Sequence, residues 1–178
     1  VDEKDNKIWK YVALTKEDFP RVLIVRGREL FAETKKATYA RVFGPFTDSG
    51  QLKEALTILR KIFPYADTCR PHEGKGSIPC FNRQIRLCPG VCTGEVTKQA
   101  YAETIRNIKD VLSGNFKGVR ARLEREMKLA SRAENFEKAR VLQRQCAALK
   151  HIRDGALLKE DVRSLERGVA LYRGEAYD

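Results

Sequence analysis

The chain has 178 residues, 42% of them hydrophobic, and carries 35 Lys and Arg against 24 Asp and Glu, for a net charge of +11. Such a length allows one compact domain, or a small domain with a helical appendage. No run approaches the roughly 20 apolar residues of a membrane-spanning helix, and an excess of this sign attracts polyanions, nucleic acid above all.

The first ten residues are polar and charged, unlike a signal peptide. A cytoplasmic setting with reduced thiols is therefore expected, and five cysteines there suggest a metal or cluster before disulfides. Because the chain opens on Val1 and stops at Asp178, both ends are expected to be cut from a longer protein.

Three short strands come first. Trp9 to Leu14 is partly aromatic and β-branched. Arg21 to Arg26 follows the turn-like Glu17-Asp18-Phe19-Pro20 and ends at Gly27. Ala37 to Phe43 is a third, expected to stop at Gly44-Pro45. Asp48 or Ser49 can cap a helix over 50–62, with Leu52, Ala55, Leu56 and Leu59 at helical spacing. This helix should cover one face of an antiparallel sheet.

Residues 67–96 have little periodicity and hold four cysteines, three prolines and four glycines. A loop so long in a compact domain needs something to hold it. Thr97 then caps a helix to about 112, with Tyr101, Ile105, Ile108 and Leu112 on one face and Gly114 at its end. Two further amphipathic helices are predicted over 116–132 and 135–153. One carries the stripe Val119, Leu123, Met127 and Ala130; the other carries Phe136, Ala139, Leu142, Cys146 and Leu149. Joined by a short link, they form an antiparallel hairpin. Residues 116–153 hold eleven Lys or Arg and four Glu, so the +7 balance concentrates the basic excess there. No internal repeat is apparent, and a strand is possible at 169–172.

The resulting expectation is an α+β fold. A small antiparallel sheet, helices and a cysteine-rich loop occupy 1–115, a helical hairpin 116–154 and a tail 155–178.

Cys69, Cys80, Cys88 and Cys92 are separated by ten, seven and three residues. Four thiolates suit an iron–sulfur cluster or a structural zinc. The spacing lacks the paired Cys-x-x-Cys knuckles typical of zinc, yet leaves both readings open. Arg70, Lys75, Arg83 and Arg86 lie nearby in sequence. They would partly offset the thiolate charge, and they are the candidates for contact with DNA phosphates. Cys146 sits on the apolar face of a helix and reads as a core residue.

Three stretches resemble the UvrC family, the nuclease subunits of nucleotide excision repair. The first is Glu17-Asp18-Phe19-Pro20-Arg21 with Val42-Phe43-Gly44-Pro45-Phe46. The second runs from Ile62-Phe63-Pro64 through Thr68-Cys69-Arg70 and Cys80 to Arg86-Leu87-Cys88-Pro89-Gly90-Val91-Cys92. The third, from Met127 and Ala130 through Phe136-Glu137-Lys138-Ala139-Arg140 to Leu142 and Leu149, is similar to the UVR motif.

The resemblance implies a [4Fe–4S] cluster on Cys69, Cys80, Cys88 and Cys92, with zinc the alternative. It also implies docking to the C-terminal helical hairpin of UvrB through Met127, Ala130, Phe136, Ala139, Arg140, Leu142 and Leu149, together with DNA contact. No catalytic residue is assigned. Neither nuclease domain of the family is recognisable, and Asp178, which matches the first metal-binding aspartate of an RNase H-like domain, stands without partner carboxylates. The other reading is a zinc-stabilised nucleic-acid-binding module with no repair role.

Overall fold

Alternation along one strand organises the first half of the chain. In the computed structural model, which describes residues 9–30, 38–69 and 78–154, β1 (Lys10–Thr15) is the centre of a three-stranded antiparallel sheet. It lies between β2 (Val22–Arg26) and β3 (Tyr39–Phe46). Successive side chains of a strand face opposite ways, and β1 buries both sets. Val12 and Leu14 enter the main core, while Tyr11 and Ala13 join Val25, Leu30 and Val42 in a smaller cluster on the other face. Leu30 comes from a single helical turn, α1 (Gly27–Leu30), where the sequence suggested only a strand end.

The third strand does not stop at Gly44-Pro45 as expected; it runs on to Phe46. As the edge strand it can accommodate a residue with no N–H to donate. The register against β1 slips between Lys10 and Val12. Gly44 takes φ +123°, where a Cβ would lie 3.1 Å from the Lys10 carbonyl oxygen.

The turn between β1 and β2 is tied to a helix. The buried Thr15 hydroxyl accepts the Arg21 N–H at 2.8 Å and donates to Glu17 at 3.1 Å, and Arg21 grips Glu17 with two nitrogens. Phe19 packs on the Tyr101 ring, and the Pro20 carbonyl accepts the Tyr101 hydroxyl at 2.7 Å. Tyr101 belongs to α4 (Lys98–Leu112), whose N-cap Thr97 accepts the Ala100 N–H.

The expected helix over 50–62 is α2 (Ser49–Ile62). Its cap is Asp48, which accepts two backbone N–H groups that hold its carboxyl below the ordinary range. Leu52, Leu56, Leu59 and Ile62 pack with Val12, Leu14, Phe43 and Phe46, so α2 does cover one face of the sheet. The hairpin is α5 (Phe116–Arg132) with α6 (Phe136–Asp154). It is not free-standing. The Gln145 side chain on α6 donates to the Ile62 carbonyl at 2.6 Å, satisfying one of the acceptors a helix end leaves open. One hydrophobic cluster runs from Val12 of the sheet to Ala130, Leu142, Leu149 and Ile152 of the hairpin.

The two corners of the last three helices are built alike. Asn115 and Asn135 each accept, through the side chain, the N–H three residues on, and through the carbonyl the N–H four residues on. Each asparagine N–H also donates to the residue five before it. The signal was present in the sequence as Asn-Phe-x-x-x-Arg, at 115–120 and again at 135–140, although no repeat is evident by periodicity. The possible strand at 169–172 lies outside the described residues.

Replacing Tyr101 with Phe would leave the Ala66 N–H and the Pro20 carbonyl without their shared partner. Orphaned buried groups cost about 1–3 kcal/mol. The loss is measurable by urea denaturation, and an unchanged midpoint would show that this bridge carries no stability.

Candidate metal centre and docking tip

The cysteine loop is anchored at both ends of its described part. Residues 63–69 descend from the end of α2. There Arg60 donates to the Tyr65 carbonyl and to Asp67, the Tyr101 hydroxyl accepts the Ala66 N–H, and the Ala66 carbonyl accepts the Val22 N–H. The second part opens at Cys80, the N-cap of a short helix not anticipated from the sequence, α3 (Phe81–Gln84). The Asn82 carbonyl accepts the N–H groups of both Leu87 and Cys88, which folds the chain back. Gly90 closes the loop at φ +86°. Its carbonyl accepts from the Thr93 hydroxyl and the Glu95 N–H, and a Cβ there would stand only 2.7 Å from Thr93 Oγ1.

All five cysteines are free thiols; Cys88 and Cys92 are buried, Cys69 and Cys80 partly so. Cys69 donates to Cys80 Sγ at 3.8 Å. Burial, followed by the neighbouring thiols Cys80 and Cys92, pushes the Cys69 thiol up to about 11. Cys80 moves the other way, because the Arg83 N–H and, more weakly, the Cys69 thiol and the Asn82 N–H favour its thiolate. Cys88 lies within electrostatic reach of Arg60, Arg83 and Tyr101.

Among the described residues, no three Cys, His, Asp or Glu side chains converge closely enough to hold a single metal ion. Sulfurs around one zinc with 2.3 Å bonds stand about 3.8 Å apart, a spacing found for Cys69 and Cys80. A cubane cluster puts its own irons and sulfides between its four thiolates, so its ligands stand further apart. The donor chemistry, four free thiols on one loop, is of the kind such a group takes, but the described cysteines are not arranged around one centre.

The cationic candidates divide. Arg83 is ion-paired with Glu95, which this contact and the Thr93 hydroxyl hold down at about 2. Arg86 is exposed, in a left-handed conformation at φ +61°. Arg70, Lys75 and Asp178 lie outside the described residues.

The hairpin candidates divide more sharply. Ala130, Leu142 and Leu149 are buried in the chain's own core, and Met127, Ala139 and Cys146 pack partly against it. Phe136, by contrast, is 68% exposed, and Arg140 is exposed. Leu129 and Val141, which periodicity did not single out, are 58% and 50% exposed near the same end of the hairpin. At the opposite end, Phe116, Ala121 and Leu149 line a cleft of about 280 Å³ with Lys117, Arg120, Glu124 and Lys150.

Residues 9–111 match the family model for the UvrC/Cho excinuclease middle domain, and residues 117–152 match the UvrB/uvrC motif. The chain belongs to the UvrC family. It is 35% identical over 153 residues to UvrABC system protein C of Clostridium kluyveri, covering 84% of this chain and 23% of that protein. The protein of the same name from Methanothermobacter thermautotrophicus is 33% identical over 173 residues, 93% of this chain and 28% of its own length. That of Pseudomonas entomophila is 36% identical over 151 residues, 85% and 24% respectively. The chain thus spans about a quarter of the length of these relatives. No solved structure matches it significantly. Among the described residues, no helix is long and apolar enough to cross a membrane.

Proposed function

We propose that this region is the non-catalytic centre of a UvrC-type excision-repair nuclease. It joins a thiolate-held [4Fe–4S] cluster to a helical tip that docks UvrB, and acts on DNA in the cytoplasm. The observation that carries the reading is the match of both segments, in order, to the family's middle domain and UVR motif. The four free thiols of one loop support the cluster. When bound, such a cluster supplies a covalent cross-link between segments that share little regular structure. This chain's residues supply its ligands and the frame behind them.

The docking reading rests on the tip. Large apolar side chains left in water on a charged helix pair suit a partner helix pair. Leu129, Phe136 and Val141 are the large apolar side chains exposed on the hairpin, and Arg140 is exposed with them. For DNA, one face of α5 presents Lys117, Arg125, Lys128 and Arg132. All are exposed, and none is ion-paired among the described residues.

Three measurements test these parts separately. Protein purified without oxygen should be brown, with about four irons and four sulfides per chain; stoichiometric zinc without iron would transfer the four thiols to the alternative reading. Phe136→Ala should weaken binding to the C-terminal hairpin of UvrB by about 2 kcal/mol, the scale of a central aromatic anchor, and leave the metal content unchanged. Undiminished affinity in titration calorimetry would remove the tip from the interface. Changing Arg125, Lys128 and Arg132 together to Gln should lower the salt dependence of duplex binding by roughly one unit of slope per residue. An unaltered slope would place the DNA contact elsewhere.

A further inference from the structure

Arg60 sits near the end of α2 with its side chain only 13% exposed. Sequence pattern gives it no role, since it falls in the basic last turn of an amphipathic helix. In the fold its guanidinium spans the cysteine loop. Nε donates to the Leu87 carbonyl at 2.9 Å, Nη1 to Asp67 Oδ2 at 2.6 Å and Nη2 to the Tyr65 carbonyl at 3.0 Å. The planar group also lies over the Tyr65 ring, 4.9 Å from its centre. Leu87 directly precedes Cys88, and Asp67 stands two residues before Cys69. One side chain therefore binds both arms that present these thiols.

We infer that Arg60 is a positioning residue for the thiolate centre, fixing the separation of the Cys69 and Cys88 arms before a cluster is bound. The inference rests on the cluster reading above. Loop arms held in place beforehand do not have to be ordered at the expense of binding. The fork of the guanidinium is what the task needs. An ammonium carries the same charge at a single point and cannot reach three acceptors on two arms while stacking on a ring. Arg60→Lys therefore separates geometry from charge, including the charge felt by Cys88.

The test compares wild-type and Arg60→Lys chains loaded with iron and sulfide side by side. Arg122→Lys is the control, since Arg122 bridges α5 to Asn107 and Asp110 of α4, outside the cysteine loop. The readouts are iron loss to a chelator, the spectrum of the reduced cluster, and hydrogen exchange in the metal-free protein. Arg60→Lys should lose iron roughly tenfold faster or more, the usual cost of losing a group that orients metal ligands. The Ala66 and Cys88 amides should exchange faster, with helix content and the α5–α6 amides unchanged, and Arg122→Lys should release iron at the wild-type rate.

If Arg60→Lys does not fold, Asp67→Ala, which frees the Cys69 arm from one of its bonds, should still speed iron loss; a wild-type rate there would overturn the inference. Loaded Arg60→Lys protein that keeps its iron as wild type does would overturn the inference alone. Wild-type protein that takes up no iron would overturn the cluster reading and this inference with it.

Discussion

Between the last turn of α2 and the cap of α4, the described residues make almost no ladder hydrogen bonds, and the structure depends on how those residues are satisfied. Buried backbone groups without partners are expensive. Two helix side chains meet much of the need. Arg60 takes the carbonyls of Tyr65 and Leu87, and Tyr101 takes the N–H of Ala66 while donating to Pro20. Both are deeply placed, and their surroundings reflect it. Burial pushes the Tyr65 hydroxyl up to about 12 and the Tyr101 hydroxyl higher still. The Arg60–Asp67 contact holds the carboxyl below its ordinary range even though burial works against it. The sheet, α2 and α4 thus form a frame around an irregular insert, and the insert carries the thiols.

The same core decides what the hairpin can do. Two antiparallel helices with apolar stripes can cover each other, cover a domain or wait for a partner. Here α6 lies on α2, and Leu142, Leu149 and Ile152 are spent inside the molecule. The large apolar side chains the hairpin leaves exposed are Leu129, Phe136 and Val141. An apolar motif at helical spacing is therefore a poor guide to which of its residues meet a partner, because packing within the chain uses the same pattern.

The regular elements were legible for that reason. Caps at Asp48 and Thr97, stripes at 3.6-residue spacing and short β-branched runs carry local information, and the helices begin and end within a residue or so of where those signals place them. What escaped depends on contacts distant in sequence. Gly44-Pro45 reads as a strand end until its strand is known to be an edge. Arg60 reads as a solvated cation until Leu87, 27 residues away, returns to it. Cys69, Cys80, Cys88 and Cys92 stand out in the sequence because such clustering is unusual, but nothing in their spacing says that Cys69 and Cys80 are the two whose sulfurs approach to 3.8 Å. The Glu17–Arg21 turn was legible as a family likeness without its reason, which is the seat it makes for Tyr101.

The two asparagine corners carry this distinction furthest. Asn115-Phe116 and Asn135-Phe136 form the same backbone bonds, so local sequence sets the same local structure twice. The phenylalanines nevertheless end differently. Phe116 packs against the core because α6, running back along α5, brings Leu149 and Lys150 beside it. Phe136 starts the last described helix and is left in water. Burial at these two positions is thus set by what the chain does later, not by the motif. The feature that distinguishes the second corner from the first is thus an uncovered aromatic ring, an observation independent of family likeness that supports the docking proposed for the tip of the hairpin.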